Sequence, residues 1–504
     1  MYPNYNPYHI IMKKSKNTIK VFRETVLVLI AVFSVSFSFG QIRIDWQQCY
    51  GTYGLFCYET ATSILPVEDG FLVFGTVDRP QNPGMVLCDV ENTYTPWLIR
   101  IDRQGELIDQ QCWEGLRQAI SIREVKTNSH EYFINTHRFG EVTILKIDAG
   151  FNEIWRREMG YFGSQMLPTA DGGVLVGCSY GLIGKGNGED SLLKLDNLGN
   201  VAWKISVGMD VRGISQAKDG GFFVVGTPQD GGAALIKMSQ DGQMEWVRTY
   251  ETLNTVIELD DGYMLASTTD IEGEGSHGEN DILLARTDMD GNILWSRYYG
   301  GTNYDNLRAI YPNLNGGFTI LALSGSRNGD VQSNSNGNGN TYHLWIFNID
   351  PSGLLLWERC IGSYWYSEEI NSIAKIGNYK YVVAGSLVWE ETPSGDVYCS
   401  NNQILPDSGH NYWVLQVTDT INSAGVAEPL AEERAMCYPN PSNGMVRIQG
   451  MEPAEVQVYD VMGQRVKCFH GTNEIPLGDL PKGMYLIKAV LKDGKTFSDK
   501  VVKE

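Results

Sequence analysis

Hydrophobic and polar positions along this chain fall into one recurring rhythm, clearest between Ser191 and Gly226. There Leu192-Leu193-Lys194-Leu195-Asp196 leads to a turn at Gly199-Asn200 and then to Val201-Ala202-Trp203-Lys204-Ile205. A second turn, Lys218-Asp219-Gly220-Gly221, precedes the apolar run Phe222-Phe223-Val224-Val225-Gly226. Short runs of apolar, β-branched and aromatic residues bounded by glycine turns predict strands.

The rhythm returns at a period of roughly fifty residues, the mark of a repeat array. The apolar strand ending near an acid recurs at Trp97–Asp102, Leu145–Asp148, Leu192–Asp196, Leu235–Ser239, Ile282–Asp288, Trp345–Asp350 and Trp413–Asp419. The turn followed by an apolar run begins at Asp69, His130, Asp171, Asp219, Asp261, Asn315 and Gly377. A tryptophan marks a third strand at Trp46, Trp113, Trp155, Trp203, Trp246, Trp295 and Trp357. Each series has seven members. One unit cannot bury its own apolar faces, and radial stacking of small sheets predicts an all-β, seven-bladed β-propeller over residues 41–419. The last unit lacks a tryptophan strand, and the chain opens with one, Ile42-Arg43-Ile44-Asp45-Trp46. Residues 42–50 are therefore expected to pair with 412–419 and join the two ends, since an unpaired edge invites aggregation. The Ser333–Asn340 loop is expected to be dispensable.

The first forty residues do not share the rhythm. Lys13, Lys14, Lys16, Lys20 and Arg23 precede an apolar run from Val26 to Phe37, and Ser38-Phe39-Gly40 offers small residues for cleavage before Gln41. This is the order of a signal peptide over 1–40, with Met12 an alternative start. The run is about a dozen residues, short of the ~20 that span a bilayer. The chain is expected to be exported.

Charge sharpens that picture. Residues 1–40 hold five Lys or Arg and one Glu, so the formal −20 of the whole chain becomes −24 after cleavage. Residues 437–504 hold nine basic and eight acidic side chains, which leaves −25 on 41–436. So acidic a surface repels phosphate backbones and argues against nucleic acid as a partner. The nine cysteines include no Cys-x-x-Cys and no zinc-like Cys/His spacing, and export permits disulfides. Cys88 and Cys399 lie in insertions of neighbouring units, whereas Cys178 sits in an apolar run and reads as a buried thiol.

Five insertions occupy one slot, before the strand that ends near an acid: Val77–Pro96, Tyr180–Glu189, Asp270–Asn280, Ser324–Thr341 and Val388–Tyr412. Insertions at one slot map to one face, where repeat proteins often bind. Gly184–Asp190 and Glu272–Asp281 cluster acids with Gly and Asn, oxygen donors suited to Ca²⁺, though neither has EF-hand periodicity. Solvated turns are the default reading and calcium the alternative. No His-Glu-x-x-His or Gly-x-Ser-x-Gly appears, so no catalytic residue is assigned.

Two local patterns resemble enzyme families. Asp196-x-x-Gly199-x-x-x-Trp203 is similar to the tryptophan-docking repeat of quinoprotein dehydrogenases, which typically have eight blades and often an adjacent cysteine pair, both missing here. Ser239-Gln240-Asp241-Gly242-x-x-x-Trp246 is similar to the sialidase Asp-box, with its glycine one position early. Both are more economically read as structure, the glycine for its positive φ and the tryptophan as filler between blades.

Residues 420–436, rich in Ala, Glu and Pro, read as a linker. Asp419-Thr420-Ile421 resembles a Bacteroidetes O-glycosylation acceptor. Beyond it come Cys437-Tyr438-Pro439-Asn440-Pro441-Ser442-Asn443-Gly444, then Tyr459-Asp460-Val461-Met462-Gly463, Gly483-Met484-Tyr485 and Lys500-Val501-Val502-Lys503. Alternating strands between Pro/Gly turns predict a small Ig-like sandwich over 437–504. In order and spacing these segments resemble the type A C-terminal sorting domain of the Bacteroidetes type IX secretion system. The sorting residues carried over are Tyr438, Pro439, Asn440, Pro441, Gly444, Tyr459, Gly463, Gly483, Tyr485 and Lys500. The resemblance implies handling by the secretion machinery, removal of the domain, and release or attachment to surface lipopolysaccharide. The expected protein is a secreted or cell-surface binding module for a glycan or protein, with an extracellular hydrolase or lyase using loop acids as the alternative. No cofactor is expected beyond the possible calcium.

Overall fold

The computed structural model describes residues 42–51, 59–78, 85–87, 94–113, 115–127, 130–138, 141–159, 162–179, 190–271, 273, 275–334, 341–363, 368–388, 395–397, 410–420, 437–438, 442, 444–448, 453–460, 465–490 and 496–503. The expected signal peptide, its cleavage point and nearly all of the 420–436 linker lie outside the described residues. The chain divides into two compact units, Met1–Ile421 and Asn422–Glu504. No helix among the described residues is long and apolar enough to cross a membrane.

The first unit is a β-propeller built of four-stranded antiparallel sheets. Seven such sheets occur among the described residues, over 60–112, 119–159, 162–206, 209–250, 255–299, 305–361, and 368–419 together with 42–50. Within each sheet the strands run in chain order, except in the last, where Ile42–Tyr50 takes the outer place beside His410–Asp419. Ile42 stands opposite Asp419 and Tyr50 opposite Tyr412, the pairing that the unbalanced end repeats require. The first sheet also packs its opening strand, Thr60–Val67, on Glu368–Lys375 of the seventh.

The apolar runs recognised in the sequence are the second and third strands. Phe222–Val225 and Ser191–Leu195 are buried throughout, because both faces of each sheet meet a neighbouring sheet. The tryptophan strand is the fourth. Six of its tryptophans face a polar residue across the sheet, as in Lys194 opposite Trp203 and Lys237 opposite Trp246. Trp113 is the exception, and the expectation is corrected there. Asp109 holds the equivalent place opposite Arg100, while Trp113 lies past the strand end and packs edge-on against Phe74.

The period of three recognised strands misses one strand per sheet, the first. Its regular alternation is broken by a β-bulge after Ala61, Ala119, Val211, Leu307 and Ile370, so it does not read as a strand.

The second unit is a small sandwich, as expected. A three-stranded sheet (Cys437–Tyr438, Met445–Ile448, Glu474–Pro476) faces a four-stranded one ordered Arg465–His470, Glu455–Tyr459, Gly483–Val490, Thr496–Lys503. Val446, Val456, Val458, Ile475, Ile487 and Val501 fill the space between them.

Candidate functional site

The turn between third and fourth strands, which resembled two enzyme motifs, is a latch between sheets. Asp196 Oδ1 accepts from the backbone N–H groups of Leu198 and Asn200 at 2.9 and 2.8 Å. These bonds hold its carboxyl below the usual aspartate range. Gly199 adopts φ +80°, and a Cβ there would meet the Trp155 ring of the preceding sheet at 3.0 Å. Trp155 Nε1 donates to Asn197 O at 2.9 Å. Trp203 lies in the same way against Gly242, Trp295 against Gly353, and Trp46 against Gly105, each near 3 Å from the glycine's missing Cβ. Where Asp109 replaces the tryptophan, Arg100 serves instead, donating to Ala149 O at 2.8 Å and lying over Phe151. These acids staple turns and offer no open carboxylate pair.

The acid-glycine turn between first and second strands is also structural. Lys194 Nζ, nearly buried, meets Asp171 at 2.9 Å; Lys237 meets Asp219 at 2.7 Å and Lys146 meets Glu131 at 2.7 Å. Arg286 is paired with Asp261.

Side chains of a different kind line the middle of the propeller, where the first strands of neighbouring sheets meet. A bulged residue has no cross-strand partner and its side chain is re-aimed. Two of the bulge positions carry arginine, Arg212 and Arg308. Arg212 pairs with Asp210 at 2.6 Å. Burial lowers the Arg308 pKa while the Glu369 charge opposes that shift. Arg123, three residues past its own bulge, donates through Nη1 to Ser63 Oγ at 3.1 Å and Ile122 O at 2.8 Å. Desolvation lowers its pKa too, with Tyr311 of the sixth sheet opposing. Burial pushes Tyr311 up to about 12, and its hydroxyl donates to Ile373 O of the seventh sheet at 2.8 Å. Groups from the first, second, sixth and seventh sheets thus converge around Arg123, which forms no salt bridge among the described residues. Guanidinium groups in this setting suit anionic groups that present two oxygens to the N–H fork, such as carboxylate or sulfate. None of the three arginines was singled out in the sequence, because they belong to the strand that its pattern hides.

The insertions leave from one end of the sheets, since each connects second to third strand in sheets of common order. Residues 180–189, including Gly184–Glu189, lie outside the described residues, as do Glu272, Glu274, Cys88 and Cys399. Asp281, at the end of its acidic stretch, is buried. The expectation for Ser333 is corrected: it is an anchor, its N–H and Oγ donating to Glu358 at 2.8 and 2.7 Å, with Cys360 N donating to Ser333 Oγ at 2.7 Å. Cys178 is a buried free thiol; Cys49 and Cys112 are disulfide-bonded. Between the fourth and fifth sheets lies a cavity of about 390 Å³, walled by Leu253, Leu265 and Leu283 with Ser267 and Tyr298 among its polar groups.

Of the sorting residues, Tyr438 lies in the first strand of the sandwich, Tyr459 ends its strand and donates to Gln457, and Lys500 lies in the last strand. Gly444 has φ +135°, Gly483 opens its strand, and Tyr485 is buried with its hydroxyl donating to Pro481 O at 2.8 Å. Pro439, Asn440, Pro441 and Gly463 lie outside the described residues.

No curated protein matches the chain. Among solved structures it is similar to BamB from Moraxella catarrhalis at 14% identity, covering 75% of this chain and 99% of that one, with a TM-score of 0.40. The extracellular domain of a putative one-component system from B. thetaiotaomicron matches at 12% identity over 90% of this chain and 60% of that one, TM-score 0.40. The Neurospora crassa Pan2 WD40 domain matches at 8% over 71% and 89%, also at 0.40. At these scores nothing about function follows. The family model for the secretion system C-terminal sorting domain matches residues 436–504. The sandwich is thus a secretion sorting domain, and the chain that bears it is a type IX secretion substrate, bound for the cell surface or beyond.

Proposed function

We propose that the propeller is a non-catalytic binding module displayed or released outside the cell, and that it recognises a glycan or protein bearing a carboxylate or sulfate at the arginine-lined centre. The observation that carries this reading is the placement of Arg123, Arg212 and Arg308 on the inner strands of a region whose formal charge is −25. Arg123, which forms no salt bridge among the described residues, gives an otherwise acidic body one place that favours an entering anionic group over anions elsewhere on the surface. The insertions at one end of the sheets supply further contacts. Surface retention through lipopolysaccharide after removal of residues 437–504 is part of the same proposal. Catalysis by loop acids would need carboxylates open to substrate, and Asp281, at the end of one acidic insertion, is buried.

Screening the mature chain on arrays of neutral, uronic-acid and sulfated glycans, with a protein array alongside, tests the reading. Anionic ligands bound by wild type and lost in an Arg123→Ala/Arg308→Ala double variant that remains folded are the expected result. Retained binding in that variant, or turnover of a bound glycan, would overturn it.

A further inference from the structure

The joint between the fourth and fifth sheets departs from its sisters at three matched places, and all three open space. The first is the latch. Trp155, Trp203, Trp295 and Trp46 each lie against the turn glycine of the following sheet. At Gly291 the side chain so placed is Arg248, its Nε 2.9 Å from the glycine's missing Cβ and its Nη2 donating to Met289 O at 2.9 Å. Trp246 keeps its partner in its own sheet, Phe223 at 6.0 Å, as Trp46 keeps Phe71 at 6.0 Å. The Arg248 guanidinium lies over the Trp246 ring at 4.2 Å. Arg248 is thus a wedge between the tryptophan and the glycine that meet directly elsewhere.

The second place is the tyrosine four residues after the tryptophan. Tyr50 and Tyr299 hold it in the seventh and fifth sheets and donate to Gly105 O and Gly353 O of the following sheet. Tyr250 holds it in the fourth, opposite Ala233 as Tyr299 is opposite Ile282, but it lines a cavity. The third place precedes the polar residue of the third strand. It is Ile99, Leu145, Leu193, Ile236, Phe347 or Leu415 in six sheets and Ala285 in the fifth. In the sixth sheet Phe347 fills this space and packs on Tyr299, the rings 5.3 Å apart.

These changes leave the cavity of about 390 Å³, within the range of roughly 300–1,000 Å³ usual for small-ligand sites. Leu253, Leu265 and Ala285 are its buried floor, and the exposed Glu251, Ile293 and Ser296 mark its mouth. Ser267, buried in the wall, is already bonded to Thr252 and Asn254, so the floor asks for no hydrogen bond. A sugar, with hydroxyls around its whole edge, would leave several unpaired against the leucines.

We propose that this cavity binds a small aromatic molecule, whose ring takes the place that Phe347 fills in the sixth sheet and whose polar substituent reaches the mouth. The site includes none of the three central arginines and stands apart from the ligand reading above.

The test titrates the mature chain with p-cresol, with indole and, as the non-aromatic control, with glucose, by calorimetry and thermal unfolding. Wild type is expected to bind both aromatic probes, to melt higher in their presence, and to ignore glucose. Ala285→Phe, which installs the side chain found at Phe347, is expected to weaken binding about tenfold or more and to melt at or above wild type without probe. Ala285→Leu, the smaller filling found at Leu415, is the second variant in case the ring overpacks the joint. Wild type that binds neither aromatic probe at millimolar concentration overturns the proposal and leaves an unfilled gap in the packing. Binding unchanged in both variants, or shared by glucose, overturns it too. If neither variant folds, magnetisation transfer between bound p-cresol and the methyl groups of Leu265 and Leu283 in wild type decides, its presence supporting the site and its absence refuting it.

Discussion

The phenol of Tyr50 donates to the carbonyl oxygen of Gly105 at 2.5 Å, and in the same way the phenol of Tyr299 donates to Gly353. The first bond joins the seventh sheet to the first, the second joins the fifth to the sixth. The joint that brings the chain's ends together is thus built like an internal one, with Trp46 against Gly105 as Trp295 is against Gly353.

Tyr50→Phe removes one bond and leaves the Gly105 carbonyl without its partner. A loss of about 1 kcal/mol is expected, read from denaturant unfolding against wild type. Deleting 42–50 removes the whole outer strand, and the shortened protein should aggregate or unfold near room temperature. A truncated chain that melts like wild type would rule out this role for the strand.

Lys194 and Asp171 form a pair of unequal exposure, with side chains 6% and 57% exposed. Asp171→Asn strips the countercharge from a buried ammonium and should cost on the order of 2 kcal/mol. Lys194→Met leaves an acid that water can still reach, so it should cost less. Asp260→Asn, on the exposed Lys218–Asp260 pair, should change the denaturation midpoint imperceptibly. The order of the three midpoints is the measurement.

His343 is fully buried, and burial, helped by the Arg327 charge, brings its pKa from 6.5 down to about 4. Glu368 Oε2 lies 3.8 Å from Nδ1. Between those two values the unfolded chain binds a proton that the folded chain refuses, so stability falls as pH drops through this window. The full effect is about 3 kcal/mol at 1.4 kcal/mol per pH unit. Unfolding free energy measured from pH 7 to 4 should fall less steeply in His343→Gln.

Removing 437–504 should leave a folded propeller in the periplasm, because the sorting domain is a separate compact unit. Fractionation and limited proteolysis of the truncated protein check both halves of the statement. Normal appearance in the medium would count against the sorting role. In secreted wild type, the first residue found by N-terminal sequencing should be Gln41.

What the sequence reveals follows burial. Third strands such as His343–Ile349 are buried at every position, so they stand out as unbroken apolar runs. Thr60–Val67 and Asp305–Pro312 alternate imperfectly, are interrupted by bulges, and turn polar side chains inward. No period reveals them, and Arg123, Arg212 and Arg308 stay hidden with them. Trp113 misled because a residue type was taken for a position; the register shows Asp109 there. Ala285 was in view within an apolar run. Its meeting with Tyr250 was not, since the two come together only where one sheet joins the next.

The strand Ile42–Tyr50 has a consequence for the order of events during synthesis. Its Asp45 accepts hydrogen bonds from Gln416 and from Thr418, the latter 373 residues away, so the first strand made is among the last to find its place. Closing so long a loop is entropically costly and makes this pairing a late folding step. The export tag follows the very strand that Ile42–Tyr50 awaits. A ribosome that stalls inside the propeller therefore releases a chain with neither a finished circle nor a tag, and incomplete products are excluded from export by their own connectivity.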